Sequence, residues 1–143
     1  MKTRVTIAIC LASGALAGCS ASTDEYVDDV NKIQAEVVKA SQSVGSDLNA
    51  SKKEILNQLD TAKTEADEAV SELEDIDVPE DAEKGHEELV KGFEDLEKLY
   101  ADVRQGIEAE SSAAFDELQT KRAEIEKQID QALSQINDEL GLK

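Results

Sequence analysis

The sequence has few of the residues that build covalent or aromatic cores. Both cysteines, Cys10 and Cys19, lie among the first nineteen residues, so the rest of the chain has no disulfide framework and no thiol chemistry. Tryptophan is absent, and the aromatic side chains are Tyr26, Phe93, Tyr100 and Phe115. A single modest core must therefore be built mainly from Ala, Leu, Ile and Val, which suits closely packed helices better than a β-sandwich.

Residues that break helices are equally scarce, since Pro79 is the only proline. No alternating strand pattern is present, whereas apolar residues recur at intervals of three and four, the heptad signature of helices that pack at a shallow angle. We call these positions the apolar stripe. It comprises Val30, Ile33, Val37, Ala40, Val44, Leu48, Ile55, Leu59, Ala62, Ala66, Ala69, Leu73, Ala82, His86, Leu89, Phe93, Leu96, Tyr100, Val103, Ile107, Ala114, Leu118, Ile125, Ile129, Ala132 and Ile136. Lys52, Glu110 and Arg122 interrupt it.

The strongest helix break falls at Pro79. The proline excludes the α region for Val78, and Pro79 itself is expected in the first turn of the following helix. A second break, a loop or kink, is expected between residues 43 and 51, where Gly45 lies and where the stripe slips in register. A third and weaker candidate is Ser111-Ser112.

Capping signals mark the helix ends. Ser22 with Glu25 predicts a capping box at the start of the first helix, and Ser51 with Glu54 predicts another after the loop. Gly141 is expected to cap the last helix.

These patterns predict an all-α fold. The open alternatives are an antiparallel hairpin of two long helices, or a bundle of three to four shorter coiled-coil-like helices. The break near Gly45 favours the bundle. Several apolar residues beside the stripe also widen the apolar face enough to contact more than one helix: Val90, Leu99, Phe115, Leu133 and Leu140.

The amino terminus carries an export signal. Lys2 and Arg4 precede an apolar run, residues 5–16, which is too short to span a bilayer, since spanning takes about 20 apolar residues. The run closes with Leu16-Ala17-Gly18-Cys19. This tetrapeptide resembles the lipobox of bacterial lipoproteins, the class exported with type II signal peptides.

The resemblance implies a processing scheme. The signal peptidase would recognise Leu16, Ala17 and Gly18 and cut before Cys19, whose thiol carries the lipid. Residues 1–18 would then be the signal peptide, 19–24 a lipidated tether and 25–143 the helical bundle domain. Acyl chains would fasten the protein to the cell membrane or outer membrane, on the extracytoplasmic side.

The chain is strongly acidic, with a formal net charge of −18 at pH 7. Such a charge repels nucleic acid, so DNA or RNA partners are not expected. Seven carboxylates cluster around Pro79 without an intervening basic residue: Glu72, Glu74, Asp75, Asp77, Glu80, Asp81 and Glu83. We call them the turn carboxylates. Their simplest interpretation is a solvated turn, and the sharper hypothesis is weak contact with a cation or a basic partner.

Catalytic chemistry is not indicated. His86 is the only histidine, and the Glu83-x-x-His86 spacing occurs once, whereas a di-iron bundle needs it twice. A zinc site would need further ligands, and no nucleophile elbow or phosphate-binding loop is present. We therefore expect neither an enzyme nor a bound cofactor or metal, and we expect His86 at the rim of the core with a polar partner.

The sequence thus favours a non-enzymatic envelope lipoprotein that acts as an interaction or structural module. A protein partner or a second copy could pack along its helices. One alternative is a tether to peptidoglycan, because murein lipoproteins also end in lysine, as this chain does at Lys143. The other is a binder of small ligands or cations, which would need a concave apolar pocket.

Overall fold

The computed structural model describes residues 20–47 and 49–142, which form four α-helices and no strand. The helices are α1 (Ser20–Ser43), α2 (Lys52–Asp75), α3 (Glu83–Glu108) and α4 (Ala114–Glu139). The bundle of shorter helices is therefore the correct alternative. Residues 1–19, on which the predicted signal peptide and lipidation site fall, lie outside the described residues, as do Leu48 and Lys143.

The predicted breaks are all present. Gly45 has a positive φ of 69°, in the loop between α1 and α2, and a turn around Ser111 separates α3 from α4. The capping box at the start of α2 is also confirmed. The Glu54 backbone N–H donates to Ser51 Oγ, and the Ser51 N–H donates to the Glu54 carboxylate at 2.7 Å.

Two predicted helix starts are wrong. Helix α1 begins at Ser20, so Ser22 lies inside the helix rather than capping it, and the helix begins within the segment predicted as a tether. Pro79 does not lie in the first turn of α3. It precedes a short 3-10 turn, Glu80–Ala82, and α3 begins only at Glu83. Pro79 is extended, with ψ 137°, and precedes the turn as its N-cap, and its carbonyl accepts the Ala82 N–H.

Helices that follow one another in the sequence pack side by side and run antiparallel. Lys52 at the start of α2 pairs with Glu110 just beyond the end of α3, and Lys63 pairs with Glu97 near the middle of both helices. The backbones of α1 and α4 lie farther apart than those of sequential helices, since no Cα of one lies within 8 Å of a Cα of the other. The result is an up-down-up-down bundle.

The apolar stripe forms the core. Of its described positions only Ile55 and Ile125 are half-buried, and all the others are buried. Among the residues beside the stripe, Leu99 and Leu133 are buried and Val90 and Leu140 are half-buried, whereas Phe115 is exposed. No helix in the described ranges is both long enough and apolar enough to cross a bilayer.

Glycines bring α3 unusually close to α4. A Cβ placed on Gly85 would lie 2.7 Å from Ile136 Cγ1, and one on Gly92 would lie 2.6 Å from Ile129 Cγ1. Gly106 faces Ala114 in the same way, at 3.0 Å. Gly85, Gly92 and Gly106 are spaced by seven and fourteen residues, so they follow one seam of the helix. Larger side chains at these positions would push α4 outward.

Candidate functional site

The two ends of the bundle differ. At one end, which we call the Pro79 end, the turn between α2 and α3 lies beside the start of α1 and the end of α4. Tyr26 of α1 contacts His86 of α3 there, and Glu139 of α4 accepts a hydrogen bond from the Gly85 N–H. At the opposite end, the Gly45 end, the α1–α2 loop lies beside the α3–α4 turn, so both chain termini of the described body lie at the Pro79 end.

His86 is the most unusual side chain at the Pro79 end. It is buried rather than on the rim, which corrects the expectation from the sequence, although its polar partner is present. Its Nε2 lies 3.0 Å from the Leu73 carbonyl oxygen and its Nδ1 lies 3.1 Å from the Tyr26 hydroxyl. Because a carbonyl can only accept, Nε2 carries the proton, and the neutral ring accepts the Tyr26 hydroxyl proton at Nδ1.

Burial controls the protonation of this pair. It lowers the pKa of His86 below the usual value, because desolvation disfavours the imidazolium, and the Leu73 carbonyl and Glu87 oppose this effect only in part. Burial, aided by the charge of Glu139, raises the pKa of Tyr26 to about 12. His86 is thus a neutral residue that joins α1, α2 and α3, with neither ring nitrogen free.

The turn carboxylates surround this end but form no metal centre. All seven are exposed, and no group of three or more His, Cys, Asp or Glu side chains in the described ranges is placed to hold a metal ion. The structure therefore gives no support to the cation hypothesis.

The ion pairs of the described residues lie elsewhere. They occupy the middle and the Gly45 end of the bundle: Lys52–Glu110, Lys63–Glu97, Arg104–Asp60, Arg104–Glu108, Lys121–Glu117 and Arg122–Glu126. None of them includes a turn carboxylate. Negative charge at the Pro79 end is therefore not compensated by an ion pair within the described chain, and the bundle is electrostatically asymmetric along its length.

A second buried polar cluster lies toward the Gly45 end. The Tyr100 hydroxyl donates to Ser41 Oγ at 2.7 Å, and Arg122 Nη1 donates to the Ser41 carbonyl oxygen at 3.2 Å. In the sequence, Arg122 stands out only as an interruption of the apolar stripe. The interruption is explained because the long Arg122 side chain crosses from α4 to the Ser41 carbonyl of α1.

Two depressions along the bundle differ greatly in size. A narrow, partly open cleft between α1 and α4, beside Tyr26 and Leu133, holds about 10 Å³, which is room for about one water molecule. A larger depression is open to solvent on the surface of α2 and α3 at the Pro79 end, and we call it the α2–α3 groove. Its lining residues are Leu73, Glu74, Val78, His86, Glu87, Val90, Lys91 and Glu94.

Only part of this groove was visible in the sequence. Glu74 belongs to the turn carboxylates, and Val90 was noted as an apolar residue beside the stripe. The sequence does not single out Glu87 and Glu94, although their spacing of seven residues places them on one face of α3.

A comparison with protein-family models, curated proteins and solved structures finds no match to this chain. Its function must be inferred from its own residues.

Proposed function

We propose that this chain is a membrane-anchored bacterial lipoprotein whose helical bundle serves as a non-enzymatic interaction or structural module of the cell envelope. The observation that carries the proposal is the run Leu16-Ala17-Gly18-Cys19, directly before a helix that begins at Ser20. Cleavage before Cys19 would leave the lipidated residue next to α1. The acyl chains would hold the Pro79 end against the extracytoplasmic face of the membrane.

The buried polar groups at this end hold helices together. Both ring nitrogens of His86, the only histidine, are engaged in hydrogen bonds, one with Tyr26 and one with the Leu73 carbonyl. The cleft between α1 and α4 holds only about 10 Å³, and the larger α2–α3 groove of about 680 Å³ is open to solvent at the surface of the bundle. These features favour a protein that works through its surface.

The direction of α4 bears on the peptidoglycan alternative. Helix α4 has 26 residues and spans about 39 Å, and it ends at the Pro79 end, beside the start of α1. An anchor at Cys19 would thus bring the carboxyl-terminal side of α4 back toward the bilayer. The Gly45 end would face away from the membrane. This geometry gives no particular support to a wall attachment through Lys143.

Mass spectrometry of the protein purified from membranes tests the proposal. We expect an amino terminus at Cys19 carrying acyl chains. The Cys19→Ala variant should keep its signal peptide or lose its lipid, whereas Cys10→Ala is a matched control that should be processed normally. An unmodified amino terminus at another position, with the protein free of membranes, would contradict the proposal.

A further inference from the structure

The α2–α3 groove has an apolar floor and an acidic rim. Val78 and Val90 are half-buried, so part of their apolar surface remains open to solvent above buried Leu73 and His86. Glu74, Glu87 and Glu94 line the same depression, and Lys91 is the only basic residue among the lining side chains. The groove thus offers an apolar contact surrounded mainly by negative charge.

The turn carboxylates add further negative charge beside the groove. Glu74 is itself a turn carboxylate, and the other six lie in the last turn of α2, in the adjoining turn and at the first residue of α3. All are exposed, and none takes part in the ion pairs of the described residues. Potentials of one sign over a concave surface steer and select partners of the opposite sign. A basic ligand would therefore be attracted to this groove more than to the ion-paired middle of the bundle.

We propose that the α2–α3 groove binds a short basic segment of a partner protein, with one apolar side chain of that segment resting on Val78 and Val90. Lysine or arginine side chains on either side would face Glu74, Glu87 and Glu94. An apolar anchor within a charged rim is the usual anatomy of a peptide site. The inference rests on the proposed function only for the location of the partner, at the membrane surface.

Titration with designed peptides tests the groove. The probe is a short lysine-rich peptide with one central leucine, and its control replaces the leucine with serine. Calorimetry on the purified full-length protein in non-ionic detergent should show about tenfold tighter binding of the leucine peptide, the effect of one well-seated apolar anchor. Amide signals that shift in NMR spectra should cluster between residues 73 and 94.

Variants with matched controls locate the site. Val90→Ser should weaken binding of the leucine peptide to the level of the serine peptide, whereas Val38→Ser, at an exposed valine of α1, should leave it unchanged. Glu87→Lys should weaken binding by about tenfold. Glu124→Lys alters the net charge equally on exposed α4 surface and should have a much smaller effect. Circular dichroism confirms that each variant is folded.

Several outcomes would overturn the proposal. Equal affinity for the two peptides, equal effects of Glu87→Lys and Glu124→Lys, or shifted signals spread over the whole bundle would mean diffuse charge attraction only. Loss of self-association in Val90→Ser, measured by ultracentrifugation, would identify a second copy as the occupant instead. The Cys19→Ala variant should bind the peptide normally, so failure of the groove and failure of the lipid anchor are separable.

Discussion

The Tyr26 hydroxyl oxygen lies 3.1 Å from His86 Nδ1, although 60 residues separate them in the sequence. The rings themselves are tilted by 52° with centroids 5.7 Å apart. Since His86 Nε2 also donates to the Leu73 carbonyl, one imidazole ring joins the start of α1, the end of α2 and the start of α3. Burial favours the neutral form of this ring, so protonation of His86 weakens the Pro79 end.

The protein should lose stability as the pH falls below the ordinary pKa of histidine, about 6.5. The folded pKa of His86 is lowered by burial, so the unfolded chain binds a proton first. The stability that His86 contributes is fully present above the pKa of histidine in the unfolded chain. It declines as the pH falls and is lost once the pH is below the pKa of His86 in the folded protein. Because His86 is the only histidine, its NMR titration is unambiguous, and a midpoint at or above 6.5 would refute this account.

Tyr26→Phe removes the hydrogen bond to His86 but keeps the buried aromatic ring of residue 26. Removing the hydroxyl leaves a buried acceptor at His86 Nδ1, which should cost about 1–3 kcal/mol of unfolding free energy. The pKa of His86 should rise, because the lost hydroxyl donates to the neutral ring. Denaturant unfolding and the histidine titration measure the two effects. An unchanged titration would show that Tyr26 does not control the protonation of His86.

Gly92→Ala should destabilise the bundle by about 1–3 kcal/mol, as overpacking does, although alanine is the better helix former by about 1 kcal/mol. The reason is that the added Cβ would lie 2.6 Å from Ile129 Cγ1. Urea unfolding measures the change. The matched test is a double-mutant cycle with Ile129→Ala, which removes the clashing atom. Gly92→Ala should be harmless or stabilising in that background, and simple additivity would disprove the close contact.

Glu110→Gly should stabilise the protein by about 1 kcal/mol. Glu110 has a positive φ of 60° after the end of α3, where the Ser111 N–H donates to the Gly106 carbonyl and the Glu110 N–H to the Ile107 carbonyl. Glycine takes this conformation without strain. Thermal unfolding measures the gain. Ala109→Gly, at a neighbouring residue with negative φ, should not stabilise the protein. If both variants stabilised it equally, the positive φ of Glu110 would not be the reason.

Tyr100→Phe and Ser41→Ala should each destabilise the bundle, by about 1 kcal/mol for the lost hydrogen bond. The two residues share a single buried bond of 2.7 Å between α3 and α1. The double variant should therefore cost less than the sum of the single variants. Fully additive losses in urea unfolding would indicate that the hydroxyls act independently.

Much of the fold was predictable because a helix produces a repeating pattern among residues that are close together in the sequence. The apolar stripe predicted nearly all of the described core, and the breaks at Gly45, Pro79 and Ser111 followed from backbone preferences of single residues. The start of α1 was predicted wrongly, because a capping pattern such as Ser22 with Glu25 also fits inside a helix. The groove could be predicted only in part, because its floor and rim come from two helices and their turn.

The helical periodicity, the break at Pro79, the acidic charge and the resemblance of residues 16–19 to a lipobox could all be derived from the sequence, because each depends on residues close together in the chain. The burial of His86 against Tyr26, the contact of Arg122 with Ser41 and the position of the turn carboxylates outside the ion pairs follow only from the packing of the helices. Those relationships depend on how each helix is rotated about its axis and which neighbour it meets. Contacts over 60 or 81 residues leave no local pattern.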